Sequence, residues 1–231
     1  MAHQRARAAA QHPPVLLIPG LMAGDWAMRP LSKRLQKRGY ATERAHIGLN
    51  IGCTTSALDK LERRLDQVAE SHGSTVAVVG HSRGGTLAKL LTLRRPELVA
   101  ALIALASPNV NPLGVSRSVL RQLHVLNRLH AIGFSSLLGA DCLSGECAEM
   151  VGAALLRQFP SGVPYALFYS KDDGVVDWQA CCDPAANLVE VRGSHMQLAM
   201  RRSIIDSVVQ LLDRISPVAP PVATQALQPT A

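Results

Sequence analysis

Short apolar runs alternate with helical patterns along most of this chain of 231 residues. The runs and their flanking glycines and prolines predict strands at residues 15–18, 40–47, 75–79, 98–105, 165–169 and 188–191. Helical spacing of apolar residues predicts helices at residues 28–38, 55–71, 84–95 and 197–214. Strands that are apolar on both faces need helices on both sides, so we predict an α/β protein with a mostly parallel sheet of about six strands. Active sites of such sheets lie at the carboxyl ends of the strands.

The composition is typical of one globular domain with a large core. Hydrophobic residues make up 48% of the chain, which excludes a mainly disordered protein. No uninterrupted apolar run approaches the roughly 20 residues that are needed to span a bilayer. We predict a single domain over residues 14–215 with a helical cap inserted at residues 111–160, and flexible tails at residues 1–13 and 216–231.

The positive charge of the chain is concentrated near its start. The net charge is +7, and residues 1–44 alone carry +6. Four basic residues fall within residues 33–38, where they indicate either the solvated face of a helix or a contact with an anionic surface. Because few aromatic residues accompany them for base stacking, we favour the helix face and predict no nucleic-acid partner. A transient contact of residues 29–38 with a lipid or another anionic surface stays open.

The clearest motif is Gly80-His81-Ser82-Arg83-Gly84, which lies between an apolar strand and a helix. It matches the pattern G-x-S-x-G in the strand-turn-helix setting that this pattern requires. A sharp turn exposes the hydroxyl of Ser82, and the two glycines are small enough for the turn to close. The start of the next helix favours negative charge at the same place. We therefore predict that Ser82 is a nucleophile.

A serine hydroxyl needs a base to take its proton and an acid to orient that base. His195 follows the last predicted strand, and none of the other seven histidines has that position. Asp172, Asp173 and Asp177 follow the strand before it and compete for the role of the acid. The alternative role of Asp177 is to cap the helix that begins after it.

A tetrahedral intermediate on a serine needs N–H donors for its negatively charged oxygen. One candidate is the backbone N–H of Arg83, the residue after the nucleophile. The other is expected from the loop after the first strand, where Gly20 allows a close approach and Leu21 carries the candidate N–H. The alternative role of this loop is a simple connection between a strand and a helix.

Four motifs, taken together and in this order, resemble the α/β-hydrolase fold of serine hydrolases over about residues 14–214. They are Leu-Ile-Pro-Gly at the end of the first strand, the turn with Ser82, Asp-Gly-Val-Val beginning at Asp173, and Gly-Ser-His ending at His195. The chain most resembles small bacterial members that are lipase- or esterase-like. The resemblance implies an acyl-serine on Ser82, His195 as the base and Asp173 as the acid, with Asp177 as the second choice. It implies neither an organic cofactor nor a metal.

The predicted cap at residues 111–160 is apolar and has few charges. Part of this apolar surface would form the core of the cap, and the rest would suit an acyl-binding lid. We therefore predict a hydrolase of carboxylic esters that acts on hydrophobic small-molecule or lipid-like substrates. An acyltransferase or a thioesterase with the same residues is the alternative, and a non-catalytic binding protein of this fold is a more remote one. We expect a monomer or a weak oligomer.

The five cysteines do not by themselves indicate whether the protein works in a reducing or an oxidising compartment. They are Cys53, Cys142, Cys147, Cys181 and Cys182. A disulfide between Cys142 and Cys147, or one from the cap to Cys181, would cross-link the cap. Zinc is disfavoured because the sequence contains no Cys-x-x-Cys/His set. The first residues lack the apolar stretch of a signal peptide, which favours a cytoplasmic protein. A removed signal or bridged cysteines would instead indicate a secreted or periplasmic protein.

Overall fold

The structure, a computed structural model, describes residues 12–215. Its strands are β1 (Val15–Ile18), β2 (Thr42–Arg44), β3 (Val76–His81), β4 (Val99–Leu105), β5 (Tyr165–Tyr169) and β6 (Asn187–Glu190). They form one sheet in the order β2-β1-β3-β4-β5-β6, and all neighbouring strands are parallel. The predicted α/β architecture with a parallel sheet is confirmed.

At least one α-helix follows each of the six strands along the chain. The α-helices of the described residues are α1 (Arg29–Lys37), α2 (Thr54–His72), α3 (Arg83–Arg94), α4 (Arg117–Ala131), α5 (Asp141–Ser144), α6 (Glu146–Leu155), α7 (Trp178–Cys181), α8 (His195–Met200) and α9 (Arg202–Ile215). Two short 3₁₀ turns, Asp25–Met28 and Pro96–Leu98, precede α1 and β4.

The sheet is buried on both faces because the strand residues alternate between two hydrophobic clusters. In β1, Leu16 and Ile18 pack in one cluster with residues of α2 and α3, whereas Val15 and Leu17 pack in the other with residues of α1 and α9. The same alternation runs through β3 and β4. The carboxyl ends of these central strands are therefore supported from both sides.

The predicted helix over residues 197–214 is two helices in the structure. Arg201 is extended between α8 and α9, with φ −71° and ψ 124°. A capping box between Ser194 and Gln197 starts α8 as a short helix of its own. Helical periodicity does not reveal a single extended residue, because the apolar residues on both sides of it reach the same hydrophobic cluster.

The predicted strand over residues 40–47 is also shorter in the structure. Only Thr42–Arg44 form β2, an edge strand whose partners all lie in β1. Tyr40 instead stacks on His12, with 4.2 Å between the ring centroids. His12 and the buried Pro13 belong to the predicted N-terminal tail, and the rest of that tail lies outside the described residues, as does the predicted tail 216–231.

Basic residues in α1 and at its C-terminal end lie partly against α9. Arg34 pairs with Asp206 and Arg38 pairs with Asp213, each with an N···O distance of 2.5 Å. Part of the charge near the start of the chain is thus matched within the protein. The contact of residues 29–38 with an anionic surface stays a prediction. No helix of residues 12–215 combines the length and the apolar character that crossing a membrane requires.

A long stretch, residues 106–164, connects β4 to β5, and we call it the β4–β5 segment. It contains α4, α5 and α6 and spans the cap predicted at residues 111–160. Apolar side chains such as Leu123 and Leu155 are buried in it, whereas Ile132 is exposed. The segment therefore has apolar residues both in its interior and on its surface.

Candidate active site

β3 ends at a sharp turn that carries Ser82. This residue has φ 54° and ψ −127°, a positive φ that residues other than glycine rarely adopt, and α3 begins directly after it. A Cβ on Gly80 would overlap the backbone of Gly84, and one on Gly84 would overlap the carbonyl groups of Ile18 and Pro19. The turn consequently requires glycine at both positions.

A third glycine belongs to this turn, although the motif did not identify it. A Cβ on Gly85 would overlap the hydroxyl of Ser107, a residue that follows β4. It would also lie 3.0 Å from the carbonyl oxygen of Gly80. The first turn of α3 is thereby held close to the carboxyl ends of β3 and β4. The Gly-Gly pair after Arg83 is the sequence signal that could have identified Gly85.

Asp173 and His195 are in direct contact at the carboxyl ends of β5 and β6. The His195 Nδ1 lies 3.0 Å from Oδ1 and 2.9 Å from Oδ2 of the Asp173 carboxylate. The backbone N–H groups of Val175 and Val176 donate to the same carboxylate at 2.9 and 2.7 Å. Burial opposes ionisation of Asp173, but the hydrogen bonds from His195 and Val176 hold the pKa of its carboxyl below the ordinary value. Asp173 is therefore a buried carboxylate that orients the His195 ring.

The two competing aspartates lie elsewhere. Asp177 caps α7, where its carboxylate accepts a hydrogen bond from the backbone N–H of Gln179 at 3.0 Å. Asp172 is exposed at the start of the same loop. Among the three candidates, only Asp173 is hydrogen-bonded to His195 within the described residues.

Ser82 and His195 are both buried side chains that line one cavity. Because Asp173 binds Nδ1, Nε2 is the ring nitrogen that remains for the serine hydroxyl. No hydrogen bond joins Ser82 to His195 among residues 12–215 in this structure. Such contacts are often long without substrate and shorten in the substrate complex.

The loop after β1 lies beside the serine. A Cβ on Gly20 would be 3.2 Å from the Ser82 Cβ, so the missing side chain allows this close approach. The following residue, Leu21, lines the cavity together with Arg83. Arg83 is the first residue of α3, and its backbone N–H has no acceptor within the helix. The two residues that are predicted to supply the oxyanion-hole donors thus line the same cavity.

Asn50 holds this loop in place, and sequence reasoning missed it. Its side-chain amide donates to the Pro19 carbonyl at 2.9 Å, and its backbone N–H donates to Ala23 at 3.1 Å. The Arg83 guanidinium in turn donates to the Asn50 carbonyl and side-chain oxygens at 3.0 and 2.8 Å. Asn50 lies in an irregular loop without a motif, so only the tertiary contacts show that it links the loop after β1 to the serine turn.

The cavity above Ser82 has a volume of about 550 Å³. This volume lies within the usual range of small-molecule sites, roughly 300–1,000 Å³. Trp26 lines one part of it, and the β4–β5 segment contributes Leu113, Val119, Leu123, Leu143 and Val151. The serine and the histidine therefore share one space with many apolar side chains.

Comparison with known proteins assigns the family. The model of the alpha/beta hydrolase family matches residues 15–231, which is most of the chain. The chain belongs to the alpha/beta hydrolase family. The predicted superfamily is thereby confirmed, and the six parallel strands with flanking helices agree with it.

Solved lipase structures share the fold of this α/β hydrolase at low sequence identity. The mature form of lipase BlEst2 from Bacillus licheniformis aligns with a TM-score of 0.70 and 16% identity over 87% of this chain and 92% of that chain. A monoacylglycerol lipase from Paleococcus ferrophilus has a TM-score of 0.62 and 14% identity over 89% and 97% of the two chains. A soluble variant of the monoglyceride lipase of Saccharomyces cerevisiae has values of 0.65 and 14% over 89% and 87%. A search of curated protein sequences gave no match.

His81 of this α/β hydrolase directly precedes Ser82 and packs against His195. The two rings are 4.7 Å apart, and the His81 Nε2 lies 3.0 Å from the His195 carbonyl oxygen. Burial, together with the neighbouring His195 ring, lowers the pKa of His81 to about 4. We infer that His81 stays neutral at pH 7 and supports the backbone of His195.

The low pKa of His81 predicts a loss of stability in acid. In the unfolded chain a histidine binds a proton below about pH 6.5, whereas folded His81 binds it only near pH 4. The unfolded state therefore binds more protons between these values. The free energy of unfolding should fall by up to about 3 kcal/mol as the pH is lowered through this window. Urea unfolding at pH 7 and at pH 4.5 measures this loss.

The variant His81→Asn should show a smaller loss over the same window, because asparagine does not titrate. His124→Asn is the matched control, since His124 is an exposed histidine on α4. Equal acid dependence in wild type and in His81→Asn would contradict the prediction.

Proposed function

We propose that this α/β hydrolase cleaves carboxylic esters with hydrophobic acyl groups through an acyl-serine intermediate. The carrying observation is that Ser82 and the hydrogen-bonded pair of His195 and Asp173 line one largely apolar cavity. A serine, a histidine and a buried carboxylate in this order are the components of nucleophilic acyl transfer.

In the proposed mechanism, Nε2 of His195 takes the proton of the Ser82 hydroxyl while the serine oxygen attacks the ester carbonyl carbon. The carbonyl oxygen becomes an oxyanion, which the backbone N–H groups of Leu21 and Arg83 stabilise. The imidazolium then gives its proton to the leaving alcohol, and the acyl group stays on Ser82. Asp173 stabilises the imidazolium and holds the tautomer in which Nδ1 carries its proton.

Hydrolysis of the acyl-serine repeats these steps with water. His195 takes a proton from the water molecule, the hydroxide oxygen attacks the acyl carbon, and the Ser82 oxygen leaves and recovers the proton. An acyltransferase or a thioesterase is the alternative. In an acyltransferase an alcohol would take the place of water in this second half of the reaction, and in a thioesterase a thioester would take the place of the ester substrate. An acyltransferase would transfer the acyl group to an added alcohol faster than to water.

The acyl group is proposed to lie against the β4–β5 segment. Its Val119, Leu123 and Val151 contribute apolar walls to the cavity, and such walls favour hydrocarbon chains over sugars or peptides. The names of the structural neighbours, which include a monoacylglycerol lipase and a monoglyceride lipase, agree with this substrate class. We further propose that the segment acts as a lid over the acyl chain.

A series of p-nitrophenyl esters from acetyl to palmitoyl tests the reaction and the depth of the pocket together. We expect hydrolysis, with kcat/KM rising with acyl length until the cavity is filled. The variant Gly152→Leu should reduce kcat/KM for long acyl chains more than for acetyl. Gly152 lines the cavity, and a Cβ built on it meets no atom within 4 Å.

Gly162→Leu is the matched control for this variant. A Cβ on Gly162 also meets no atom within 4 Å, but Gly162 does not line the described cavity. The dependence on acyl length should be unchanged in Gly162→Leu. If the dependence of kcat/KM on acyl length were the same in wild type and in Gly152→Leu, this cavity would not be the acyl site. If the protein hydrolysed none of the esters, the proposed ester hydrolysis would be wrong.

A further inference from the structure

Three thiols from distant parts of the sequence meet beside the candidate active site. Cys53 is the N-cap of α2, whereas Cys142 lies in α5 and Cys147 lies in α6. Their sulfur atoms all lie within 4.8 Å of one another, and the Cys53 and Cys147 sulfurs are 3.8 Å apart. We call these three residues the thiol cluster. All three are free thiols in the structure.

The spacing of the thiol cluster suits a metal ion. Zn²⁺ binds cysteine sulfur at about 2.3 Å, and at tetrahedral angles this bond length places two sulfurs about 3.8 Å apart. The Cys53–Cys147 distance has this value, and movements of less than about 1 Å would bring the third sulfur to it. A disulfide would need two sulfurs at about 2.0 Å and would leave the third thiol unused. The mutual proximity of all three therefore favours a metal over a bridge.

The surroundings of the thiol cluster suit a negatively charged metal complex. The Arg83 guanidinium donates to the Gly52 carbonyl at 2.6 Å and to the Thr54 hydroxyl at 3.2 Å, on either side of Cys53. Three thiolates with one divalent cation leave a single negative charge, which this guanidinium would balance. No other ionised partner is needed at the site.

The backbone around the thiol cluster is already held in position. The Leu138 N–H donates to the Ile51 carbonyl at 2.8 Å, which joins the β4–β5 segment to the loop before α2. The Asp141 carboxylate accepts from the Cys147 N–H at 3.3 Å and orders the turn between α5 and α6. These contacts do not involve the thiols, so the ligands are brought together by the fold itself.

We propose that Cys53, Cys142 and Cys147 form a binding site for a thiophilic d¹⁰ cation of the Zn²⁺ class. The ion would join α2, which packs on the sheet, to the β4–β5 segment. Cys142 also lines the cavity above Ser82, so the bound ion would tie one wall of that cavity to the core. The site goes beyond the proposed ester hydrolysis, and its binding can be measured whether or not the protein hydrolyses esters.

The test uses the untagged full-length chain, reduced and freed of reductant, titrated with Cd²⁺ and with Zn²⁺. We expect one ion per chain by calorimetry and a thiolate-to-Cd²⁺ charge-transfer band in the ultraviolet. Binding should raise the midpoint of thermal unfolding, since the ion binds the folded state. Cys142→Ser and Cys53→Ser should each weaken Cd²⁺ binding by more than about tenfold. Cys182→Ser is the matched control, because Cys182 lies outside the thiol cluster, and its binding should equal that of wild type.

A second measurement uses the wild-type chain alone and does not depend on how the variants fold. Bound Cd²⁺ should protect Cys53, Cys142 and Cys147 from alkylation, while Cys182 reacts as before. Absence of the charge-transfer band, equal affinity in wild type and in Cys142→Ser, or a disulfide among the three cysteines in the purified protein would overturn the proposal.

Discussion

Replacing Ser82 by alanine should lower kcat for p-nitrophenyl ester hydrolysis by at least about 10⁴-fold. The variant lacks the oxygen that forms the acyl bond, so His195 and the N–H donors have no nucleophile to assist. Alanine removes only one atom from a buried side chain, and the thermal unfolding midpoint reports whether the fold is kept. A fluorophosphonate probe, which reacts with activated serines, should label wild type and leave Ser82→Ala unlabelled.

Ser107→Ala is the matched control for this prediction. Ser107 is also a buried serine that follows a central strand, but its hydroxyl donates to the Leu105 carbonyl at 3.0 Å. We expect normal labelling and nearly normal kcat in Ser107→Ala. Labelling of Ser82→Ala, or hydrolysis by it at the wild-type rate, would remove Ser82 from the mechanism. A wild-type protein that binds esters without turnover or labelling would instead be a binding protein of this fold.

Replacing Asp173 by asparagine should lower kcat by about 10⁴-fold, while KM changes little. Asparagine keeps the shape of the side chain and one oxygen for the Val175 and Val176 N–H groups. It removes the negative charge that stabilises the His195 imidazolium, and its amide favours the wrong tautomer of the ring. The loss of rate should therefore occur in the chemical step. Measuring kcat at a saturating ester concentration tests this.

Asp177→Asn distinguishes the two candidate acids. Asp177 caps α7 and has no described hydrogen bond to His195. Because the oxygen of asparagine caps a helix about as well as that of aspartate, this variant should keep kcat and lose less than about 1 kcal/mol of stability. Measuring kcat and the unfolding midpoint for both variants separates catalysis from stability. A large loss of kcat in Asp177→Asn with normal activity in Asp173→Asn would transfer the role of the acid to Asp177.

The sheet could be predicted because each strand carries its own signal. The apolar run at Val76–Val79 is buried on both faces, and a run of this kind needs no knowledge of distant residues. The serine turn is equally local, because Gly80, Ser82 and Gly84 lie within one turn of the chain and their steric requirements are fixed by neighbours in sequence. Asp173 and His195 could be proposed from their places after two strands, since parallel strands end at one edge of the sheet. Their catalytic roles stay predictions.

Other parts of the site depend on contacts that no local pattern encodes. Asn50 forms hydrogen bonds with Pro19 and Arg83, which lie 31 and 33 positions away from it in the sequence. The break between α8 and α9 at Arg201 could not be predicted from the sequence, because the helical spacing of apolar residues continues across it. Gly85 matters only because the residue after β4 packs against it.

Local sequence patterns were enough to predict the parallel sheet, the position of the serine turn and the order of the three proposed catalytic residues. These features follow from periodicity and from turn sterics, which act over a few residues. The contact of His195 with Asp173 rather than Asp177, and the position of Cys53 beside Cys142 and Cys147, became visible only in the folded structure. Asp173 and His195, 22 positions apart, meet through the conformation of the loops after β5 and β6. Cys53 and Cys147, 94 positions apart, meet only when several helices pack on the same sheet, and that packing is set by the whole core rather than by any one segment.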